Sequence, residues 1–241
     1  MPYLRYQHRS FQAVAETILA RADDIMREYA NQGYDLTLRQ LYYQFVARGI
    51  CPNKQSEYKR LGDVVSNGRL AGRLDWSLLV DRTRAPHSNS HWSDPSEIIA
   101  SAAVSFQLDK WKGQSNYVEV WVEKEALAGV VSTATSPLDV TRFSCRGYVS
   151  QSAMWEASNR FRKHEEQGRN GIILHLGDHD PSGIDMSRDI QDRMRLFKSR
   201  VEVRRIALNM DQIEVLKPVP NPTKMTDARA ESYVEQFGHE S

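Results

Sequence analysis

The sequence predicts an α/β protein: a helical N-terminal domain with the outline of a helix-turn-helix or winged-helix module, then a mostly parallel, Rossmann-like sheet flanked by helices. Three observations carry this. Short amphipathic patterns fill the front of the chain, runs of strand length alternate with helical patterns after Trp111, and two of those runs stop abruptly at carboxylates.

Taken in order, Phe11, Val14, Ile18, Leu19, Ala22, Ile25, Met26 and Tyr29 repeat at helical spacing and predict a first helix over Ser10–Asn31. Gly33 stops it, and Thr37 is a good N-cap for a second helix that carries Leu38, Leu41, Tyr42, Phe45 and Val46 and ends at Gly49. After the Cys51-Pro52-Asn53 turn, Tyr58, Leu61, Val64, Val65 and Leu70 mark a third helix, and Trp76–Val80 reads as a small strand. The polar stretch from Arg82 to Asp94, broken by Pro86, predicts a linker, which divides the chain into a 1–84 domain, an 85–94 linker and a 95–241 domain. Beyond it, Pro95–Lys112 is helical. Strands follow at Tyr117–Val122, Val140–Ser144, Gly171–Leu176 and Val201–Ala207, with helices between them. Val215–Pro222 reads as extended and proline-rich, and Met225–Phe237 resumes a helical pattern just before the sequence stops, which reads as an end cut short.

Composition narrows the class. There is no run of roughly 18 apolar residues and no apolar-core leader pattern at the amino terminus, so the sequence predicts a cytoplasmic protein with no membrane partner. Cys51 and Cys145 stand alone, which suggests neither a zinc site nor a disulfide framework. The net charge of +1 argues for no partner, but its distribution is uneven: Met1–Arg84 holds 13 Lys/Arg against 9 Asp/Glu, the remainder 19 against 22. The front third is therefore the better candidate for meeting phosphates. Lys54, Lys59, Arg60, Arg69 and Arg73, on the third helix and its flank, are the candidate contacts to a DNA backbone, with a solvated helix face as the plainer alternative.

Two strand ends carry the chemistry. Tyr117–Val122 runs directly into Glu123, and Gly171–Leu176 runs through Gly177 into Asp178-His179-Asp180. Parallel neighbours would set Glu123, Asp178 and Asp180 on one sheet edge, where open α/β sheets collect their ligands. Converging carboxylates repel one another unless a divalent cation sits between them, and oxygen-only ligands favour Mg2+ or Mn2+. Such an ion suits phosphotransfer on a nucleotide or nucleic acid. Each acid also has a structural explanation: Asp180 as the N-cap of a helix with Pro181 at its first position, Asp178 as a turn residue, Glu123 as a first-turn acid. His175 lies within the strand and reads as core.

Val120-Trp121-Val122-Glu123-Lys124-Glu125, together with Gly177-Asp178-His179-Asp180-Pro181-Ser182-Gly183-Ile184-Asp185, resembles the Toprim signature of topoisomerases, primases and certain nucleases. The form of the second motif is most similar to the topoisomerase VI A subunit and its relative, the transesterase that makes meiotic double-strand breaks, and Arg146-Gly147-Tyr148 matches a Gly-Tyr element between the motifs. Upstream, Thr37-Leu38-Arg39-Gln40-Leu41-Tyr42-Tyr43 resembles the family's Thr-x-Arg-x-hydrophobic-aromatic-Tyr pattern. The resemblance implies a CAP-like winged helix before a Toprim domain, Tyr43 as nucleophile, Arg39 stabilising phosphate charge, and Glu123, Asp178 and Asp180 holding Mg2+ or Mn2+. It also implies double-stranded DNA as substrate, a 5′-phosphotyrosyl link, and a homodimer in which the tyrosine of one protomer serves the acids of the other. A separate ATPase (B-type) subunit is the implied partner, since this chain carries no GHKL-type segment. A hydrolytic Toprim nuclease that leaves Tyr43 unused, a non-catalytic DNA-binding protein, and an Asp-x-Asp phosphatase stand as alternatives.

Overall fold

The computed structural model describes residues 3–81, 89–219 and 229–238. Four strands, β1 (Asn116–Val122), β2 (Thr141–Ser144), β3 (Asn170–Leu176) and β4 (Glu202–Ala207), form one all-parallel sheet in the order β2-β1-β3-β4. Nine α-helices accompany them among the described residues: α1 (Ala13–Asn31), α2 (Leu38–Ala47), α3 (Gln55–Leu70), α4 (Pro95–Ser105), α5 (Ala128–Thr135), α6 (Gln151–Glu166), α7 (Pro181–Leu196), α8 (Met210–Leu216) and α9 (Ala230–Phe237). The molecule is a mixed α/β protein whose parallel sheet is flanked by helices, a Rossmann-like arrangement.

The sheet separates two apolar layers because side chains alternate along each strand. Trp121 and Ile173 point to one face and pack with Met154 and Phe161 of α6 and Met186, Ile190 and Met194 of α7. Val120, Val122 and Leu174 point to the other and meet Val131 of α5. β1 also carries a buried acid: Glu119 accepts from Tyr117 Oη and Trp121 Nε1 at 2.8 Å and forms a bidentate pair with Arg160 of α6 at 3.1 Å. A fully buried carboxylate is tolerable only with partners of this kind.

A separate core unites α1, α2 and α3 through Leu19, Ile25, Met26, Leu41, Phe45 and Leu61. The N-terminus of α2 is a complete capping box: Thr37 accepts from the Gln40 amide at 3.3 Å while the Gln40 side chain accepts from the Thr37 amide at 2.8 Å.

Three sequence expectations change. Trp76–Val80 is not a strand: Asp75 accepts from the Ser77 amide and hydroxyl at 2.7 and 2.6 Å, which winds Trp76–Leu78 into a 3-10 turn and leaves only an isolated bridge between Leu36 and Leu79. The helix from Pro95 ends at Ser105 rather than Lys112, because Lys110 Nζ and Trp111 Nε1 are tied to the carbonyls of Pro137 and Leu138 at 2.6 and 2.8 Å. Val215 and Leu216 are helical, not extended, since Asn209 and Gln212 build a second capping box that starts α8, which ends before Pro218. The 82–88 part of the linker, and the 220–228 part of the tail, lie outside the described residues. Among the described residues no helix is long and apolar enough to cross a membrane.

Candidate functional site at the sheet switch point

The strand order reverses between β1 and β3: the connection from β1 leads outward to β2 on one side, and that from β3 leads to β4 on the other. This is the crevice in which doubly wound sheets bind ligands, because flanking loops part there. The β1–β3 register pairs Val122 with Leu176, so both acid motifs leave the sheet at the same level.

Glu123 is buried, its amide donates to Leu176 O at 2.9 Å, and its Oε2 accepts from the Asp178 amide at 3.0 Å. Burial holds this carboxyl above the ordinary range, and the charges of Asp178 and Asp180 add to that, against the opposing Asp178 amide and Lys124. Asp180 is the N-cap of α7, its Oδ1 accepting from the Gly183 amide at 2.7 Å and the Ser182 hydroxyl at 2.9 Å. Asp178 turns its carboxylate onto Lys124 Nζ. Burial works against the Lys124 ammonium, but Asp178 and Glu123 pull its pKa above the usual lysine value.

Sequence reasoning missed the residue that holds the loop together. Arg205 of β4 donates through Nη2 to the carbonyls of Gly177 (2.8 Å), Asp178 (2.6 Å) and Leu208 (3.1 Å), and through Nη1 to Gly183 O (2.9 Å) and Ser187 Oγ (3.1 Å). It thereby satisfies carbonyls that a sharp loop cannot pair with itself. The Gly-Tyr element has a structural role: Tyr148 Oη donates to Asp185 of α7 at 2.6 Å, and Arg229, just before α9, lies 5.2 Å over the Tyr148 ring and 3.5 Å from Asp185. α9 closes on the acid loop, with Tyr233 Oη 2.7 Å from His179 Nδ1 and Phe237 edge-on to the same imidazole.

His175 lies in the core as its place within the strand predicts, fully buried, with Nδ1 2.8 Å from Ser187 Oγ. Burial, and secondarily Arg205, lowers its pKa to about 4. Because the folded state binds this proton more weakly than an unfolded histidine with a pKa near 6.5, stability falls as pH drops from about 6.5 towards 4, by about 3 kcal/mol from this group. Denaturant titrations at pH 7 and pH 4.5 should show this loss, and His175→Gln should remove it.

The two tyrosines of α2 are not equivalent. Tyr42 is buried, its hydroxyl 3.1 Å from Lys54 O and Asn53 Oδ1, and its ring edge-on to Tyr58. Tyr43 is 40% exposed. A cavity of about 570 Å3 lies between the start of α2, at Thr37 and Arg39, and the turn after β1, at Glu125 and Ala126.

The predicted cations divide. Arg39 is exposed, its guanidinium 5.6 Å over the Tyr58 ring. Lys54 is the N-cap residue of α3, and Lys59 and Arg60 are exposed on that helix, Arg60 3.4 Å from Glu57. Arg69 stacks 4.2 Å over Trp76 and donates to the carbonyls of Trp76 and Leu79 at 2.7 and 3.2 Å, so it braces the turn after α3 instead of reaching outward. Arg73 makes a bidentate pair with Glu16 of α1 at 2.8 and 2.7 Å. Among the described residues, no three His, Cys, Asp or Glu groups stand as a ready-made metal cluster, since Asp178 faces Lys124 and Asp180 caps α7. The donor set nonetheless suits a hard divalent cation: the candidate ligands are all carboxylates, and the burial and crowding that raise Glu123 are what such a charge would relieve.

No family model matches the chain, and no curated protein or solved structure matches it. The class that its fold defines is the Rossmann-like α/β protein with its acids at the switch point.

Proposed function

We propose that the chain is a divalent-metal-dependent DNA transesterase of the topoisomerase VI A type, a winged-helix-like domain bearing Tyr43 joined to a Toprim domain bearing Glu123, Asp178 and Asp180. The observation that carries the reading is the juxtaposition of two parallel strand ends, one delivering Glu123 and the other Asp178, in a chain whose preceding helical domain leaves Tyr43 exposed.

Glu123, Asp178 and Asp180 would hold Mg2+ or Mn2+, which when bound supplies positive charge to a phosphate. Tyr43 attacks the phosphorus. The new bond joins its oxygen to the 5′-phosphate, the bond to the 3′ oxygen breaks, the phenol proton passes to solvent, and the departing 3′ oxygen takes up a proton. The link conserves the phosphodiester for religation. Lys124, paired with Asp178, would follow charge from the acid to the phosphate, and Arg39 lies one helical turn before Tyr43. Lys54, Lys59 and Arg60 are available to the DNA backbone, and two copies, each with one tyrosine and one acid set, would cut both strands. A separate ATPase subunit would be needed for strand passage but not for cleavage.

Incubation with supercoiled plasmid and Mg2+ or Mn2+, quenched in detergent, tests this. Broken ends carrying protein are expected. Breaks without attached protein would instead make the chain a hydrolytic nuclease, and binding without breaks a DNA-binding protein.

A further inference from the structure

The acid loop is held from two sides. On the sheet side, the Asp178 amide donates to Glu123 Oε2 at 3.0 Å, the Asp178 carbonyl accepts from Arg205 at 2.6 Å, and Asp180 caps α7 through the Gly183 amide at 2.7 Å. On the other side stands α9, and what it grips is the residue between the two acids. Tyr233 Oη lies 2.7 Å from His179 Nδ1 and donates to His179 O at 3.1 Å, so one hydroxyl meets both the side chain and the main chain of His179. A phenol has a single proton. Given to the carbonyl, it leaves the oxygen to accept from Nδ1–H, and both contacts are satisfied. Tyr233 is 5% exposed, which puts these bonds out of water, where they are stronger. Rings complete the contact: Phe237 lies 4.7 Å from the imidazole and 4.9 Å from the Tyr233 ring.

We infer that Tyr233 is a positioning residue: through His179 it fixes Asp178 and Asp180 relative to each other, and so couples the docking of α9 to the hold of the acid edge on a divalent cation. The inference rests on the metal-binding part of the proposed function and not on Tyr43. Geometry is the first argument. His179 is all the chain there is between the two acids, so a shift of its carbonyl turns both of them. Ligand groups must be held to within about 0.5 Å, and groups that orient them from behind are typically worth about tenfold or more in metal affinity. The second argument is the helix itself. With eight residues α9 is too short to be stable alone in water, and its most deeply buried side chains are Ala230 and Tyr233, so its helical state depends on docking. Such coupling is reciprocal: if docked α9 tightens the hold on a cation, a bound cation tightens α9 by the same factor.

The test uses the full chain and Mn2+ alone. Wild type, Tyr233→Phe and Phe237→Leu are compared by the electron paramagnetic resonance of free Mn2+, which gives affinity, and by peptide-resolved amide exchange over 177–184 and 230–237 with and without the ion. Tyr233→Phe keeps its ring, and Arg229 still lies 3.5 Å from Asp185, so α9 stays in place while both bonds to His179 go. Its Mn2+ affinity should fall about tenfold, with faster exchange in the loop. Phe237→Leu loosens the ring packing but leaves the hydroxyl, and should bind Mn2+ as wild type does. Mn2+ should slow exchange of α9 in wild type, and do so less in Tyr233→Phe. Wild-type affinity in Tyr233→Phe overturns the inference. Equal losses in the two variants also overturn it, since packing of α9 would then be the cause, and so does α9 exchange in wild type that is indifferent to Mn2+. A wild type with no affinity for Mn2+ overturns the metal site and this inference together, whereas Mn2+ bound without DNA cleavage overturns the transesterase reading and leaves the affinities to decide this one. Should Tyr233→Phe unfold, His179→Phe, which loses the Nδ1 contact from the other side, takes its place with the same readouts.

Discussion

Tyr43→Phe is expected to abolish protein–DNA adducts in the detergent-quenched plasmid reaction and to lower strand breakage by roughly a thousandfold or more, the usual consequence of deleting a covalent nucleophile. The substitution is sparing. Tyr43 is 40% exposed and its ring lies 5.9 Å from that of Tyr42, a contact that phenylalanine retains, so stability should stay within about 0.5 kcal/mol of wild type. Tyr42→Phe is the opposite case one residue away. It removes the hydroxyl that ties α2 to Asn53 and Lys54, which should cost about 1 kcal/mol while leaving cleavage in place. Unchanged cleavage by Tyr43→Phe would return Tyr43 to the surface and leave water as the nucleophile.

Gly183→Ala is expected to destabilise the fold by about 3 kcal/mol and to lower the melting temperature by about 10 °C. Intrinsic propensity points the other way, since alanine in a helix is favoured over glycine by about 1 kcal/mol. Packing reverses the sign: a Cβ on Gly183 would lie 2.1 Å from Asp178 O and 3.1 Å from Glu123 Oε2. The clash is with backbone, so either the first turn of α7 or the Asp178–Asp180 loop must move, and Arg205, bonded to both Asp178 O and Gly183 O, cannot follow both. Cleavage should fall with stability. Gly62→Ala is the control, because its Cβ would meet only the flexible Leu38 Cδ2 at 3.2 Å and should be close to neutral. A thermal melt of the two variants decides the matter: equal melting temperatures would show that the acid loop tolerates displacement.

The contrast between these sites shows what was legible in the residues. Glu123 and Asp178 could be read as a pair because apolar runs and the acids that end them are local signals, and parallel pairing follows from strand–helix alternation. Asp180 could be read as a cap for the same reason: the Asp-Pro-Ser-Gly order fixes it within one helical turn. Arg205 carries no such signal. In Arg204-Arg205 the two side chains alternate across β4, one paired with Glu202 at the surface and the other drawn under the acid loop, and nothing in the order distinguishes them. The turn that recruits Arg69 leaves no mark in the residue order, and Trp76–Val80 has the residues of a strand but forms none, because the Asp75 side chain outcompetes a ladder that has no second strand to join.

By itself, then, the sequence determined most of the elements, the level at which the acids leave the sheet, the N-caps that start α2 and α7, and the choice of Tyr42-Tyr43 as a pair worth weighing, signals that lie within a few residues of one another. Only the tertiary structure decided which tyrosine is buried and which is exposed, that Gly183 must lack a side chain, that Arg205 binds the loop, and that α4 buries none of its residues. Each of those depends on what a residue distant in sequence places opposite it, and burial, unlike helical or strand periodicity, is a property of that encounter.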